Sequence, residues 1–412
     1  MSVAGFTSTG SKRPAALYGE APETPGVPLR MARSKGCRVW DREGREYVDF
    51  LMALGAVALG YGHPEVNRGV IDAVERGAIG PLAPEEEEAL AGELMRVMPA
   101  LEQVRFLKTG AEAVAAAVRL ARAATGRDRV LGCGYHGWLD WCSRGAGVPA
   151  AVQALFGELP FNDAERSAAQ IRQAGDALAC VVVEPVVEAA PSAEWLGVLR
   201  AETRRWGAVL IFDEIKTALR VAPGGAAERW GGEPDLVVLG KAIANGYPLA
   251  AVGGRADLMR RVSETWISST MATEFVSLAA ARATLGVARE ARLSERLAER
   301  GRRLFEGLER LAGSHPKLVA GVGGIPEMCH LRFPEEAVSA SVARECARRG
   351  LLFKRNAYNF VSLAHDGASV DRALGILEEA LGALQAGGGG SAGYSRVSGA
   401  SGPGLAPGRE RC

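Results

Sequence analysis

The chain has no apolar run approaching the roughly 18 residues needed to span a bilayer, no CxxC pair, and no excess of charge of either sign. Each absence removes a class of protein. Without a long apolar run no helical membrane span is expected, and the first 25 residues lack the apolar stretch of a signal peptide. The seven cysteines, at 37, 133, 142, 180, 329, 346 and 412, are scattered and odd in number. That pattern argues against a disulfide framework or a zinc site and for reduced thiols in a cytoplasmic protein. Lys and Arg number 49 against 48 Asp and Glu, a formal net charge of +1, so no basic field invites nucleic acid or a membrane surface. No helix-turn-helix with a basic patch is visible, which leaves a DNA-bound regulator without support. No internal repeat is evident.

What is present is a 412-residue chain, 48% hydrophobic and 24% charged, long enough for two unequal cores. Residues 1–30 read as an extended arm, and Cys37–Asp49 as a hairpin turning at Asp41-Arg42-Glu43-Gly44. Helical spacing marks Pro64–Arg76 and Pro84–Val97. Strand and helix then alternate: strand Val104–Leu107, helix Ala111–Thr125, strand Arg129–Leu131, helix Ala164–Ala174, strand Ala179–Val183, helix Ala193–Trp206, then strands Ala208–Phe212 and Leu236–Leu239. Such alternation predicts a largely parallel sheet flanked by helices. A long helical stretch, Val276–Leu311, precedes a smaller α/β block, and the Gly/Ser-rich end is predicted to be disordered.

The most informative residue is Lys241, placed directly after Leu236-Val237-Val238-Leu239-Gly240. Burial disfavours a lysine's charged form, which is how a lysine becomes a Schiff-base nucleophile; the plain alternative is a snorkelling side chain at a strand end. Upstream, Val209-Leu210-Ile211-Phe212 delivers Asp213-Glu214 to another strand end, where an acid can hold a pyridinium nitrogen. Thr109-Gly110-Ala111 closes a strand and opens a helix, a place where free N–H groups and the helix dipole receive phosphate. Gly132, Gly134 and Gly137 spell a dinucleotide-type G-x-G-x-x-G, but bulky Trp138-Leu139-Asp140-Trp141 follows and no strand-end acid appears about 20 residues on. An NAD oxidoreductase is therefore rejected.

Together, Thr109-Gly110-Ala111-Glu112-Ala113, Tyr135-His136-Gly137, Glu184-Pro185, Asp213-Glu214 and Gly240-Lys241 resemble the class III aminotransferases, pyridoxal 5'-phosphate (PLP) enzymes of fold type I. The branch around glutamate-1-semialdehyde aminomutase is nearest in style, and the likeness covers about residues 35–385. It implies an α/β fold with a large PLP-binding domain (71–288), a small domain drawn from both termini (1–70 with the arm, and 289–385) and a tail from 386 to 412. It implies an aminotransferase moving an amino group from an amino acid donor to a carbonyl acceptor, with pyridoxamine 5'-phosphate as the cofactor's amino form; the alternative is an isomerase, an aminomutase or amino-acid racemase/epimerase.

The roles it implies are these. Lys241 forms the Schiff base and shuttles the proton, and Asp213 holds the pyridine nitrogen. Thr109, Gly110 and Ala111 cradle the phosphate, although Ala111 stands where the family carries a hydroxyl. Tyr135 stacks on one face of the ring, beside His136, and Ile215 packs on the other. Glu184 and Glu214 face the cleft, and Thr270 reaches the phosphate of the other subunit in a homodimer with shared sites. The substrate contacts depart from the aminomutase. Leu54 replaces a tryptophan, Glu20–Pro25 lacks the carboxylate-binding element, and Asn356-Ala357-Tyr358-Asn359 replaces another pocket segment. Leu54, Tyr358 and Asn359 are thus expected to shape the pocket. Lys354 and Arg355 read as surface charges, which predicts a substrate other than glutamate 1-semialdehyde.

Overall fold

The computed structural model describes residues 2–20 and 25–387. Ala21–Thr24, part of the expected substrate-contact stretch, and the tail from 388 to 412 lie outside the described residues. The central element is a seven-stranded sheet. Its strands run, from one edge to the other, Gln103–Leu107, Ala250–Gly254, Leu236–Leu239, Val209–Asp213, Leu178–Val183, Arg129–Cys133 and Phe156–Glu158. Ala250–Gly254 is antiparallel to both neighbours, and the other pairings are parallel. The sequence expectation of a mostly parallel sheet holds because its strands are apolar on both faces: every residue of Leu178–Val183 and Val209–Asp213 is buried. Ala250–Gly254 escaped it, since Ala-Ala-Val-Gly-Gly carries little strand propensity.

Helix Gly110–Thr125 begins at a reciprocal cap. The Thr109 hydroxyl accepts the Glu112 N–H at 3.2 Å and the Glu112 carboxylate accepts the Thr109 N–H at 2.9 Å. It ends at Gly126, whose φ of +67° favours a residue without Cβ. Two smaller sheets bring the chain ends together. In one, Met31–Lys35, Arg38–Asp41 and Glu46–Asp49 continue into Leu351–Leu352, which pairs parallel to Val48-Asp49. The other contains Gly321–Ile325, Met328–Arg332 and Asn359–Phe360.

Three readings need correction. The first 30 residues are not wholly extended, since Pro14–Tyr18 forms a helical turn packed on helix Glu336–Arg348. The stretch from 276 to 311 is two helices, Phe275–Glu290 and Leu293–Ser314, broken at Arg292 with φ +50°. The last described helix, Gly367–Gly387, runs past Gln385 into the region expected to be disordered.

Candidate active site

All the parallel strands that carry the motifs end on one sheet edge, so Thr109, Tyr135, Glu184, Asp213 and Lys241 leave the sheet at their carboxyl ends. Open α/β sheets bind ligands there. Lys241 starts a short 3-10 turn, Lys241–Ala244, and is partly buried, with φ +47°. A left-handed backbone costs a branched or long L-residue about 1–2 kcal/mol, strain that recurs where a side chain must be aimed. Asn245 anchors the turn to the N-terminal segment: its Oδ1 accepts the Leu59 N–H at 2.9 Å and its Nδ2 donates to the Gly60 carbonyl at 3.0 Å.

Asp213 is buried, with Oδ2 2.9 Å from His136 Nδ1 and Oδ1 accepting the Ile215 N–H at 3.2 Å. His136 therefore backs the carboxylate. Its ring lies against Trp141 at 6.1 Å and 24°, and its buried Nε2 has no hydrogen-bond partner. Tyr135 lies 43% exposed on the wall of a cleft of about 1090 Å³.

The Thr109–Ala111 turn presents free donors. With Glu112 N–H capped by Thr109, the Gly110 and Ala111 N–H groups remain as donors at the helix start. A Cβ on Gly110 would lie 2.6 Å from Ile215 Cδ1, and one on Gly240 3.4 Å from Ile215 Cγ1. Ile215 thus sits between the Thr109–Ala111 turn and the lysine turn. A Cβ on Gly137, at φ +100°, would lie 2.6 Å from the Ala111 side chain, so the tyrosine loop presses on the Thr109–Ala111 turn. Exposed Thr270 begins the turn Thr270–Thr273, and Glu274 just beyond pairs with Lys108 at 2.6 Å. That segment therefore lies near the Thr109–Ala111 turn of its own chain.

The cleft is lined by Tyr135, Glu184, Lys216, His330, Arg332 and Tyr358; Lys241 and Asp213 are not among its lining residues. Lys216 is the residue that sequence reasoning missed. Its Nζ lies 2.7 Å from Glu184 Oε1 and 5.1 Å from the centroid of the Tyr358 ring, and lysine and glutamate are both over nine-tenths buried. Glu184 Oε2 accepts the Tyr135 N–H at 3.1 Å. The available signal was a lysine three residues beyond the strand-end Asp213.

Other expected positions lie elsewhere. Glu214 faces away: fully buried, it accepts the Ala226 and Ala227 N–H groups at 2.8 Å each and the Thr217 hydroxyl, capping helix Gly225–Trp230. Burial pushes its carboxyl up to about 7. Asn359 is also buried, its Oδ1 accepting the Lys354 N–H at 2.6 Å and its Nδ2 donating to the Lys354 carbonyl at 3.0 Å. It closes a local loop. Leu54 sits in the consecutive left-handed residues Met52, Ala53, Leu54 and Gly55, outside the cleft walls. Tyr358 does line the cleft, its hydroxyl accepting the Glu188 N–H at 3.2 Å.

Lys354 and Arg355 are not surface charges. The N-terminal segment covers both: Lys354 Nζ donates to the Ser11 carbonyl at 3.0 Å, and Arg355 Nη2 to the Ala15 carbonyl at 3.1 Å. Arg355 also reaches the cleft. The premise that this pocket lacks a cation therefore falls, and with it the argument against glutamate 1-semialdehyde.

A sheet of this order, with a strand-end acid, a lysine on a strained turn and a helix start with free N–H groups on one edge, is the fold of the type I PLP-dependent transferases. The family model for class III aminotransferases matches residues 20–381. Glutamate-1-semialdehyde 2,1-aminomutase of Thermomicrobium roseum is 37% identical over 393 residues, covering 86% of this chain and 91% of the relative. The FumI protein of Sphingopyxis sp. MTA144, solved in its PLP internal aldimine form, superposes with a TM-score of 0.84 at 26% identity, over 89% of this chain and 91% of that one. An omega-transaminase from Sphaerobacter thermophilus gives 0.79 at 27% identity, over 90% and 98%. The chain belongs to the class III aminotransferases, and is a PLP-dependent enzyme of amino-group transfer.

Proposed function

We propose that Lys241 is the amine that holds the cofactor and that Asp213, backed by His136, pairs with its ring nitrogen. The observation that carries this is the convergence of Lys241, Asp213 and the Thr109–Ala111 turn, bridged by Ile215, on the carboxyl edge of one sheet. The residues fit PLP: the helix start offers N–H donors to a phosphate, and a side chain on Gly110 or Gly137 would strike Ile215 or Ala111 beside it. When bound there, PLP supplies an electrophilic carbon and an electron-withdrawing ring. The protein does the rest. Asp213 keeps a positive ring nitrogen paired inside a buried site, His136 fixes the direction of that carboxylate, and Lys241 Nζ moves the proton at the substrate Cα. Tyr135 and Ile215 bound the ring from its two sides.

The test is a reconstitution. Wild-type protein with PLP is expected to show a visible absorbance band, and borohydride to fix the cofactor covalently to the Lys241 peptide. In Lys241→Ala the cofactor should wash out after borohydride and turnover should disappear. Covalent fixation at any other residue sinks the assignment.

A second reading, isomerisation within one molecule, is favoured by the 37% identity to an aminomutase. Stable conversion of the cofactor to its amino form by an amino donor separates transfer from isomerisation. We further infer a cytoplasmic homodimer. Supporting it are six free cysteines among the described residues and the exposed apolar side chains Trp266, 87% exposed, and Met271 on either side of Thr270. Thr270 then serves the other subunit's phosphate. The division into a large domain at 71–288 and a small domain from both ends is supported by the pairing of Leu351–Leu352 with Glu46–Asp49.

A further inference from the structure

Buried ion pairs are expensive to desolvate, and a packed apolar pair of the same size is often as stable. Lys216 and Glu184 are therefore poorly explained by stability alone. Both line the cleft, both are over nine-tenths buried, and they come from different strands' carboxyl ends. Glu184 is held in place by the Tyr135 N–H, and a side chain on Gly134 would strike it at 2.6 Å. Lys216 is held from the other domain by the face of Tyr358, whose own hydroxyl is tied to Glu188 and whose ring packs edge-on against His330 at 5.6 Å. An ammonium has three N–H donors. Lys216 Nζ meets one carboxylate oxygen and one ring face in a residue that lines the cleft, so the amine has donor capacity for a ligand there.

We propose that Lys216 is the carboxylate anchor of this enzyme, the residue that receives the acid group of an amino acid or oxo acid substrate. This rests on the reading of the neighbouring edge as the cofactor site. In the resting protein Glu184 keeps the buried ammonium balanced, so no lone charge is buried before substrate arrives. The combination is net neutral and dipolar, which suits a zwitterionic amino acid better than a bare dianion. Tyr358, from the small domain, covers the charged head and excludes water, which strengthens the pairing.

The experiment compares Lys216→Met, Lys216→Arg and the double variant Lys216→Met/Glu184→Gln, the last removing both charges so that no unpaired carboxylate stays buried. For each, kcat/KM is measured for an amino acid donor and for the matching primary amine without a carboxylate. The ratio of the two should fall at least tenfold in Lys216→Met and in the double variant, and be partly restored in Lys216→Arg. A second readout needs no cofactor: calorimetric binding of a non-reactive 2-hydroxy acid to cofactor-free protein should weaken in the same variants by a similar factor. A ratio unchanged within threefold in the double variant, with unaltered hydroxy-acid binding, overturns the proposal while a normal visible band leaves the cofactor reading intact. Absence of the band in wild type fails that reading instead, and the calorimetry still decides Lys216.

Discussion

Asp213 and Glu214 are adjacent acids with opposite fates, because successive side chains of a strand point to opposite faces. Asp213 meets His136 on one side of the sheet edge, whereas Glu214 turns to cap helix Gly225–Trp230. The family resemblance placed Glu214 at the cleft; the run Val209–Asp213 is buried on both faces and carries no alternation that would have separated the two acids. Burial raises the Glu214 carboxyl from an ordinary value of 4.5 to about 7. The folded state thus holds the proton more tightly than the unfolded one. Its contribution to stability is complete below the unfolded value and is lost as pH rises through the folded value, at a slope on the order of 1 kcal/mol per pH unit. Glu214→Gln is expected to remove this slope between about pH 4.5 and pH 7, whatever its offset in mean stability. Denaturant titrations of both proteins across that window check it, and parallel curves would refute the assignment.

The strongest elements were those whose local signals agree with their packing. Helix Gly110–Thr125 has its cap at Thr109, a glutamate at the third helical position, an alanine-rich body and a terminating glycine, and all of these signals are local in the sequence. The stretch from 276 to 311 misled because it carries helical periodicity throughout, with no glycine or proline at the break. Packing decides there: Phe275–Glu290 lies against Pro64–Glu75, while Leu293–Ser314 lies against Gly367–Gly387. The chain must turn between them, and Arg292 adopts φ +50° to do so with its side chain mostly in solvent. Its surface pair with Glu295 contributes little. Arg292→Gly should therefore raise stability by about 0.5–1 kcal/mol, the relief of a left-handed residue net of glycine's unfolded-state entropy. Chemical denaturation measures it; a loss of stability would mean that the break is held by the arginine side chain.

At the scale of the whole molecule, the segment from 266 to 275 joins the start of helix Gly110–Thr125 to an exposed apolar surface. The Phe275 N–H donates to the Ala78 carbonyl at 2.6 Å, which ties that segment to the loop carrying Leu82, itself 81% exposed. If two copies meet here, Lys241→Ala and Thr270→Ala chains are inactive for reasons lying in different subunits. Mixed heterodimers should then recover one intact site per dimer, approaching half of wild-type turnover. No recovery in confirmed heterodimers would place Thr270 in its own chain's site. What the sequence determined by itself is the alternation of strands and helices and which residues stand at their ends, since apolar strand runs, the cap at Thr109 and the Gly240-Lys241 turn are all local patterns. The tertiary structure alone decided which charges share the cleft. Lys216 meets Glu184 and Tyr358, and Arg355 goes under the N-terminal segment, across long separations in the chain. Such pairs are selected by the packing of domains and by the cost of burying an unpaired charge, and no periodicity of the sequence encodes them.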